Sequence, residues 1–558
     1  MRVVVGEFIQ KQKYEYEDGY YKLSIYGDYI EDVGKIVLNW AGGYSIEQLQ
    51  KLNFDGGYIA FYFDKKTHRK IVFRSHQDTF SAFFTVVDDT VYFSDNYYFL
   101  CEKHQVLTWN LKAVSDYFEN SWNNICKYDR TPFCQIHRLD TWHYIILDDK
   151  TTEIEQKSWR VLNNRKIYTE KNLEEFRQQF FEVLDYYLLR IHEKNKTAVF
   201  SISSGIDGNT LAARYSRLFP DASMEFITSR INDITDESKI TSYMQSVLSN
   251  SIKYVPIDMG CSNIIQLLSC YIKKHLPPRF FNEVNEAMFL EATKDGCTEC
   301  IHINGMGADA LFGEFGNEYQ YLFNELMEKR EWEKARNVLT AITVSFMGKE
   351  HNEKMMEKTD KIFLLLKMCY GLSIGGSLFR TVKKIRGTRS QYSVLKVRLP
   401  RAESKSIQNY TDAIAYAGYS GEARALNMSG LLEDIELSVP YCGYRFQELK
   451  YACDPYIFSN KSNKSCMRYA VADLLPKEIL GNLVKKGCPG VTLGKVMELD
   501  GNKQAVQSYI AEHESCIIDT KKLTGKVRKV FDERDFLALS LLIFETYLKE
   551  HYGIKIEV

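Results

Sequence analysis

The fold of this chain is decided by the stretch Thr197-Ala-Val-Phe-Ser-Ile-Ser-Ser-Gly-Ile-Asp-Gly-Asn-Thr-Leu-Ala-Ala-Arg214. Residues 198–202 form a short apolar run, which is typical of a buried parallel strand. The small residues Ser203, Ser204 and Gly205 then interrupt the run, and the pattern predicts a helix from about Asn209. The stretch therefore predicts a strand, a tight turn and a helix, the repeating unit of an α/β domain.

A turn of this kind is suited to binding phosphate. Backbone N–H groups at the start of a helix have no partner within the helix, and the helix dipole adds positive charge behind them. Asp207 places a carboxylate beside this position, which is reasonable if a magnesium ion lies between carboxylate and phosphate.

Composition limits the classes of function. A chain of 558 residues with 45% hydrophobic residues predicts two or more folded domains. The formal net charge of -1 argues against nucleic-acid partners and anionic membranes. The 13 scattered cysteines and the absence of an apolar N-terminal segment predict a cytoplasmic protein, and the apolar residues 536–548 are too few to span a bilayer and predict a core helix.

A second loop supports the first. The segment Ile301-His-Ile-Asn-Gly-Met-Gly-Ala-Asp-Ala-Leu-Phe-Gly313 is again an apolar run followed by a glycine-rich turn. Its Asp309 follows a predicted strand, as Asp207 does. Open α/β sheets bind ligands at the carboxyl ends of their strands, so we expect both acids at that edge.

These two loops resemble the pyrophosphate loop and the second acidic loop of the asparagine synthetase superfamily of ATP pyrophosphatases. Ser204 and Gly208 depart from the usual glycine and serine of the first loop. The resemblance implies ATP and Mg²⁺ as cofactors, with Asp207 and Asp309 as the metal ligands. It also implies nucleotide contacts from a larger set, which comprises Ser203, Ser204, Gly205, Asp207, Gly208, Asn209, Thr228, Ser229, Asn304 and Gly305.

Residues 1–165 contain short aromatic and β-branched runs at 58–64, 70–74, 83–87 and 90–94, and Asp88-Asp89 is a candidate hairpin turn. Their order resembles the glutaminase domain of asparagine synthetases. That chemistry uses a cysteine exposed by removal of Met1, whereas position 2 is Arg2. We therefore predict a degenerate, Ntn-hydrolase-like domain without glutaminase activity, followed at 166–558 by a larger α/β parallel-sheet ATP-pyrophosphatase domain of the adenine nucleotide alpha hydrolase type with helical additions.

The end of the chain carries the closing pattern of this superfamily, in which Lys464 and Arg468 are followed by Lys485. The resemblance implies that Lys485 is a catalytic lysine beside the phosphates. Met306 stands where asparagine synthetases carry a glutamate, and methionine cannot accept a proton. Relatives that differ at this position include β-lactam synthetases and lasso-peptide cyclases.

The resemblance thus implies an ATP-dependent, AMP-forming carbon-nitrogen ligase that acts on a carboxylate and an amine, for example a peptide delivered with a partner protease or leader-binding protein. An ammonia-dependent asparagine synthetase and a non-catalytic nucleotide-binding protein stay open as alternatives. The sequence names neither the acid nor the amine, and it leaves the oligomeric state open.

Overall fold

The structure is a computed structural model. It describes residues 2–6, 8, 13–29, 33–38, 40, 45–52, 54–75, 82–119, 131–148, 154–159, 167–203, 205–230, 238–248, 252–258, 263–274, 300–305, 307–312, 317–346, 360–364, 367, 394–397, 436–481, 496–499, 501–529 and 531–558.

The N-terminal part contains two β-sheets. Their strands, together with one short strand that lies apart, are β1 (Arg2–Val5), β2 (Lys13–Glu17), β3 (Tyr21–Tyr29), β4 (Gly56–Asp64), β5 (Lys70–Arg74), β6 (Phe83–Val87), β7 (Thr90–Ser94), β8 (Val106–Thr108), β9 (Ile136–Arg138), β10 (His143–Leu147) and β11 (Lys157–Ser158). One sheet has the order β1-β7-β6-β9 and the other β11-β10-β5-β4-β3-β2. The predicted runs are confirmed as strands, and Asp88-Asp89 joins β6 to β7 with Asp88 at a φ of 51°.

Apolar side chains fill the space between these two sheets. Ile59, Val72, Phe93 and Ile145 belong to one buried cluster drawn from both sheets. A second cluster lies on the six-stranded sheet and includes Val37 and Leu49 of two short helices. The helices of this part are Val33–Leu38, Ile46–Lys51, Tyr97–Cys101 and Leu111–Glu119. Stacked layers of this kind agree with the predicted β-rich N-terminal region.

The second part is built on a parallel sheet. Its strands are β12 (Thr197–Ser201), β13 (Met224–Arg230), β14 (Ile252–Asp258), β15 (Cys300–Ile303) and β16 (Glu436–Ser438), and the order across the sheet is β14-β13-β12-β15-β16. All four pairings are parallel. The predicted α/β fold class is confirmed, whereas the domain boundary at 165/166 stays a prediction.

Most helices of this part share one large buried cluster with the sheet, whereas Asn317–Glu328 and Trp332–Phe346 form a separate cluster. The helices are Leu173–His192, Ile206–Leu218, Ser238–Gln245, Ile264–Lys274, Ala308–Phe312, Asn317–Glu328, Trp332–Phe346, Tyr444–Tyr451, Ser465–Ala470, Lys477–Leu480, Asn502–Glu512, Thr520–Val527 and Glu533–Tyr552, with 3-10 turns at Pro440–Cys442 and Pro455–Phe458. The last long helix contains residues 536–548, which confirms them as a core helix.

The chain's last strand returns to the N-terminal part. Strand β17 (Lys555–Glu557) pairs in parallel with β8. Nearby, Phe544 stacks on Phe133 and lies edge-on to Trp109. Strand β17 is therefore held against the N-terminal part by a strand pair and a buried aromatic group. Within the described residues, no helix is both long and apolar enough to cross a membrane.

Candidate functional site

The two predicted acids follow neighbouring strands. Asp207 lies in the first turn of helix Ile206–Leu218, directly after β12, and Asp309 lies in the first turn of helix Ala308–Phe312, directly after β15. The chain runs outward from β12 to β14 and then returns to β15 on the other side of β12. The gap between β12 and β15 is therefore the switch point of the sheet, where open α/β folds form their ligand crevice.

The helix after β12 begins earlier than the pattern predicted. It starts at Ile206 with Gly205 as its N-cap, and not near Asn209. Asp207 thus sits within the first turn, where a carboxylate is favoured by the helix dipole. The prediction missed this start because the apolar periodicity becomes visible only after the polar first turn.

The two acidic turns touch through Gly305. A Cβ atom built at this glycine would lie 2.7 Å from the Gly208 nitrogen and 2.8 Å from Asp207 Cβ. These separations are far below van der Waals contact, so only glycine allows the turn after β15 to approach the turn after β12. Gly305 is therefore required for the closeness of the two acids.

Lys464 joins the two carboxylates. Its Nζ donates to Asp207 Oδ2 at 2.6 Å and also pairs with Asp309 Oδ1. The residue is 5% exposed and has the left-handed backbone angles φ 51° and ψ 37°. A non-glycine residue in this conformation is strained by roughly 1 to 2 kcal/mol, and such strain is concentrated at functional sites.

The charges of this group favour an ionised lysine. Burial lowers the pKa of Lys464, but the nearby carboxylates of Asp207 and Asp309 outweigh it, so the pKa is raised above its usual value. Two carboxylates and one ammonium leave one negative charge. Both carboxylates reach a single cationic nitrogen, so they are spaced to share one cation.

This donor set fits magnesium. Mg²⁺ prefers oxygen ligands and commonly takes one or two carboxylates together with substrate phosphates. No group of three or more metal-binding side chains occurs among the residues that the structure describes, which excludes an all-protein cage within them. The pair Asp207 and Asp309 therefore suits a metal that arrives with a nucleotide.

A third turn, which lies between β16 and helix Tyr444–Tyr451, completes the site. The Tyr441 hydroxyl donates to the Asp207 carbonyl oxygen at 3.3 Å, and burial raises its pKa so that it stays protonated. Gly307 has a φ of +92°, and a Cβ atom there would lie 2.9 Å from Cys442 Sγ. This turn therefore packs against both acidic loops.

The predicted phosphate turn is held by its own polar groups. Asn209 is fully buried, and its Nδ2 donates to the carbonyl oxygens of Ser203 at 2.8 Å and Gly205 at 2.7 Å. Ser203 Oγ accepts from the Gly205 N–H at 3.1 Å. Gly208 has no room for a side chain, because a Cβ atom would collide with the Ser201 carbonyl oxygen. Its departure from serine thus has a steric cause.

The remaining predicted residues are distributed as follows. Asn304 follows β15, and its N–H donates to the Ser438 carbonyl oxygen at 2.9 Å. Thr228 and Ser229 lie near the carboxyl end of β13, next to β12. Ser204, Met306 and Lys485 lie outside the described residues. Nucleotide contact by all these residues stays a prediction.

Sequence reasoning missed the roles of Lys464 and Tyr441. Lys464 was singled out only as part of a closing pattern, and a lysine is almost never expected inside a protein unless it is paired. Its partner Asp207 lies 257 positions earlier in the chain. Lys464 follows the polar residues 459–463 and is the N-cap of helix Ser465–Ala470, so no local pattern indicated its burial.

The fold and site define a class, namely doubly wound α/β domains whose switch-point crevice carries two acids and a buried cation beside a helix N-terminus. Residues 284–547 match the family model described as asparagine synthase, and this match supports membership of the asparagine synthetase superfamily. No curated protein matches the chain.

The family indicates an ATP-dependent enzyme of the ligase type with amidation chemistry. The matched region includes Asp309, Tyr441 and Lys464 but begins after Asp207. The turn after β12 contacts this matched region at Gly305 and Lys464.

Proposed function

We propose that this protein is an AMP- and pyrophosphate-forming amide ligase that activates a carboxylic acid as its acyl-adenylate and then joins it to an amine. The observation that carries the proposal is the convergence of Asp207 and Asp309 on one cationic nitrogen at the switch point of the sheet.

In this proposal the triphosphate is bound by the turn after β12 and by the two acids. The turn at 203–208 presents backbone N–H groups at a helix N-terminus, where phosphate is favoured by both hydrogen bonding and the dipole. Asp207 and Asp309 would hold Mg²⁺, which neutralises charge on the triphosphate and on the departing pyrophosphate. Thr228 and Ser229 would line the adenine side, at the end of the strand next to β12.

Lys464 has two roles in this proposal. In the free enzyme its ammonium pairs with both carboxylates and holds them close together. With nucleotide bound, it adds positive charge from a site where little water competes, which strengthens its attraction for negative phosphate oxygens. Lys485 would contribute a second ammonium.

The amine comes from a peptide or specialised metabolite in this proposal. Met306 offers no base for attack by ammonia, so a tethered amine, positioned by the enzyme, suits the site better. The basis is the residue type alone, since Met306 lies outside the described residues.

The N-terminal part is non-catalytic in this proposal. The Arg2 N–H donates to the Asp89 carbonyl oxygen at 2.9 Å, so strand β1 is built into a sheet. Of the described cysteines in this part, Cys101 is buried, and desolvation raises the pKa of both Cys101 and Cys134. A raised pKa leaves little thiolate at neutral pH, which is the reverse of what a nucleophile requires.

The test is ATP–pyrophosphate exchange across a panel of carboxylic acids and peptides, with wild type, Asp207→Ala and the matched control Asp221→Ala. Asp221 is an exposed acid that precedes β13, at the opposite edge of the sheet. We expect exchange with one class of acid in wild type and control, and its loss in Asp207→Ala. Absence of exchange with every acid, at unchanged folding, would refute the ligase assignment.

Product analysis separates the amine donors. Peptide cyclisation or amide formation with a metabolite supports the proposal, whereas asparagine formed from aspartate and ammonia would show that another base replaces the missing glutamate. Nucleotide binding without any exchange would identify a non-catalytic member of the family.

A further inference from the structure

Asp55 is a buried acid of the N-terminal part that bonds to the second part of the chain. It directly precedes β4 and is 3% exposed. Its Oδ1 accepts from the Tyr187 hydroxyl at 2.9 Å and from the Tyr444 N–H at 2.8 Å. The Arg445 side chain lies 3.8 Å from Oδ2. This carboxylate is therefore bound by three groups that all come from the second part.

Two of these groups, the Tyr444 N–H and the Arg445 side chain, belong to the start of helix Tyr444–Tyr451. The N-cap of this helix is Gly443, which has no side chain to satisfy the first N–H groups. A side chain is impossible there, because a Cβ atom would collide with the Tyr187 ring. Two side chains from elsewhere accept from the first N–H groups of the helix instead. Asp55 accepts from the Tyr444 N–H, and the Tyr187 hydroxyl accepts from the Arg445 N–H at 3.1 Å. An acid at a helix N-terminus satisfies free N–H groups and complements the dipole.

The capped helix is in contact with both acidic turns. It follows directly on the turn in which Tyr441 bonds to the Asp207 backbone and Cys442 packs against Gly307. Further along the helix, Lys450 donates from Nζ to the Leu311 carbonyl oxygen in the helix that carries Asp309. The position of this helix thus influences the backbone on both sides of the crevice.

We propose that Asp55 is a positioning residue for the nucleotide site: by capping helix Tyr444–Tyr451 from the N-terminal part, it fixes the turns that carry Asp207 and Asp309. The N-terminal part then contributes a positioning carboxylate to the second part of the chain. The catalytic consequence rests on the proposed ligase function, but the structural claim does not.

The test uses the full-length protein and hydrogen–deuterium exchange without nucleotide. Asp55→Ala removes the cap, and Tyr187→Phe removes one hydroxyl while keeping the buried ring. The control is Asp64→Ala, which removes a carboxylate that accepts from the Lys66 and Thr67 N–H groups within the N-terminal part. It therefore disturbs a turn without touching the second part.

Asp55→Ala is expected to accelerate amide exchange at residues 205–211, 307–312 and 441–448 by roughly tenfold, the size of one lost charge-assisted hydrogen bond. Tyr187→Phe gives a smaller acceleration at the same residues, and the Asp64→Ala control gives none there. Uniform acceleration in all three variants, or unchanged exchange at 205–211 and 307–312 in Asp55→Ala, would overturn the proposal.

Pyrophosphate exchange tests the effect of the same variants on activity. We expect Asp55→Ala to lower the exchange rate at saturating ATP, and Tyr187→Phe to lower it less, while Asp64→Ala keeps the wild-type rate. A wild-type rate in Asp55→Ala overturns the positioning role. If wild type itself shows no exchange, the ligase assignment fails, yet the amide-exchange pattern still decides whether Asp55 fixes the two turns.

Discussion

Replacing Lys464 with methionine tests the charge arrangement at the centre of the site. Methionine keeps the length and most of the volume of the lysine stem but removes the ammonium. Both residues are non-glycine, so the strain of the left-handed backbone at this position is unchanged. The substitution removes the ammonium that both Asp207 and Asp309 contact.

The expected loss of stability depends on how deeply the three charged groups are buried. Removing one partner of a fully buried ion pair costs about 3 to 5 kcal/mol. Here the carboxylates left behind have side-chain exposures of 22% and 36%, so water reaches both. We therefore expect Lys464→Met to lower the free energy of unfolding by about 1 to 3 kcal/mol, below the range for a fully buried pair.

The assay is urea unfolding in the presence of a chelator and then in millimolar Mg²⁺, without nucleotide. Mg²⁺ can enter between the two carboxylates once the ammonium is gone, and a ligand that binds only the native state stabilises it. We expect Mg²⁺ to restore stability to Lys464→Met and to change wild type little. Lys464→Met/Asp207→Asn should be more stable than Lys464→Met alone, because it removes the repulsion.

The matched control is Lys461→Met. Lys461 is exposed and also has a positive φ of 63°. It therefore undergoes the same chemical change in the same backbone region. A Lys464→Met protein as stable as the control, or one that does not respond to Mg²⁺, would refute the view that the two acids share one cation.

The other predictions concern the turns and the sheet. Gly305→Ala should separate the acidic turns and lower nucleotide affinity at least tenfold, measured by calorimetry, whereas Gly205→Ala, where the nearest atom to the new Cβ is Ser203 Oγ at 3.3 Å, should stay near wild type. Asn209→Ala should release the Ser203 and Gly205 carbonyls and cost about 1 to 2 kcal/mol in thermal unfolding, with no loss if the turn is held otherwise. His302 is 2% exposed on β15, and desolvation lowers its pKa to about 4, so the folded state resists protonation of this side chain. Because the unfolded chain binds the proton more readily, the free energy of unfolding should fall by about 2 to 3 kcal/mol as the pH falls from 6.5 to 4, and His302→Phe should flatten this part of the pH profile.

The sequence determined the local elements of this protein. Strands Lys70–Arg74 and Phe83–Val87 have the predicted bounds, because a short apolar pattern directly indicates which residues of a segment are buried. It also determined that Asp207 and Asp309 meet. Both follow strands of a parallel sheet, and the topology of such sheets brings strand ends to one edge.

Only the tertiary structure decided what lies between and around these acids. Lys464 comes from 257 positions after Asp207, and Asp55 bonds to Tyr444 across 389 positions. The residue pattern of a segment predicts which of its side chains are buried. It does not indicate which charged residue from a distant part of the chain will contact them. The need for glycine at positions 305 and 443 also follows from tertiary packing. The atoms that leave no room for a side chain there belong to Asp207, Gly208 and Tyr187, which are distant in the sequence.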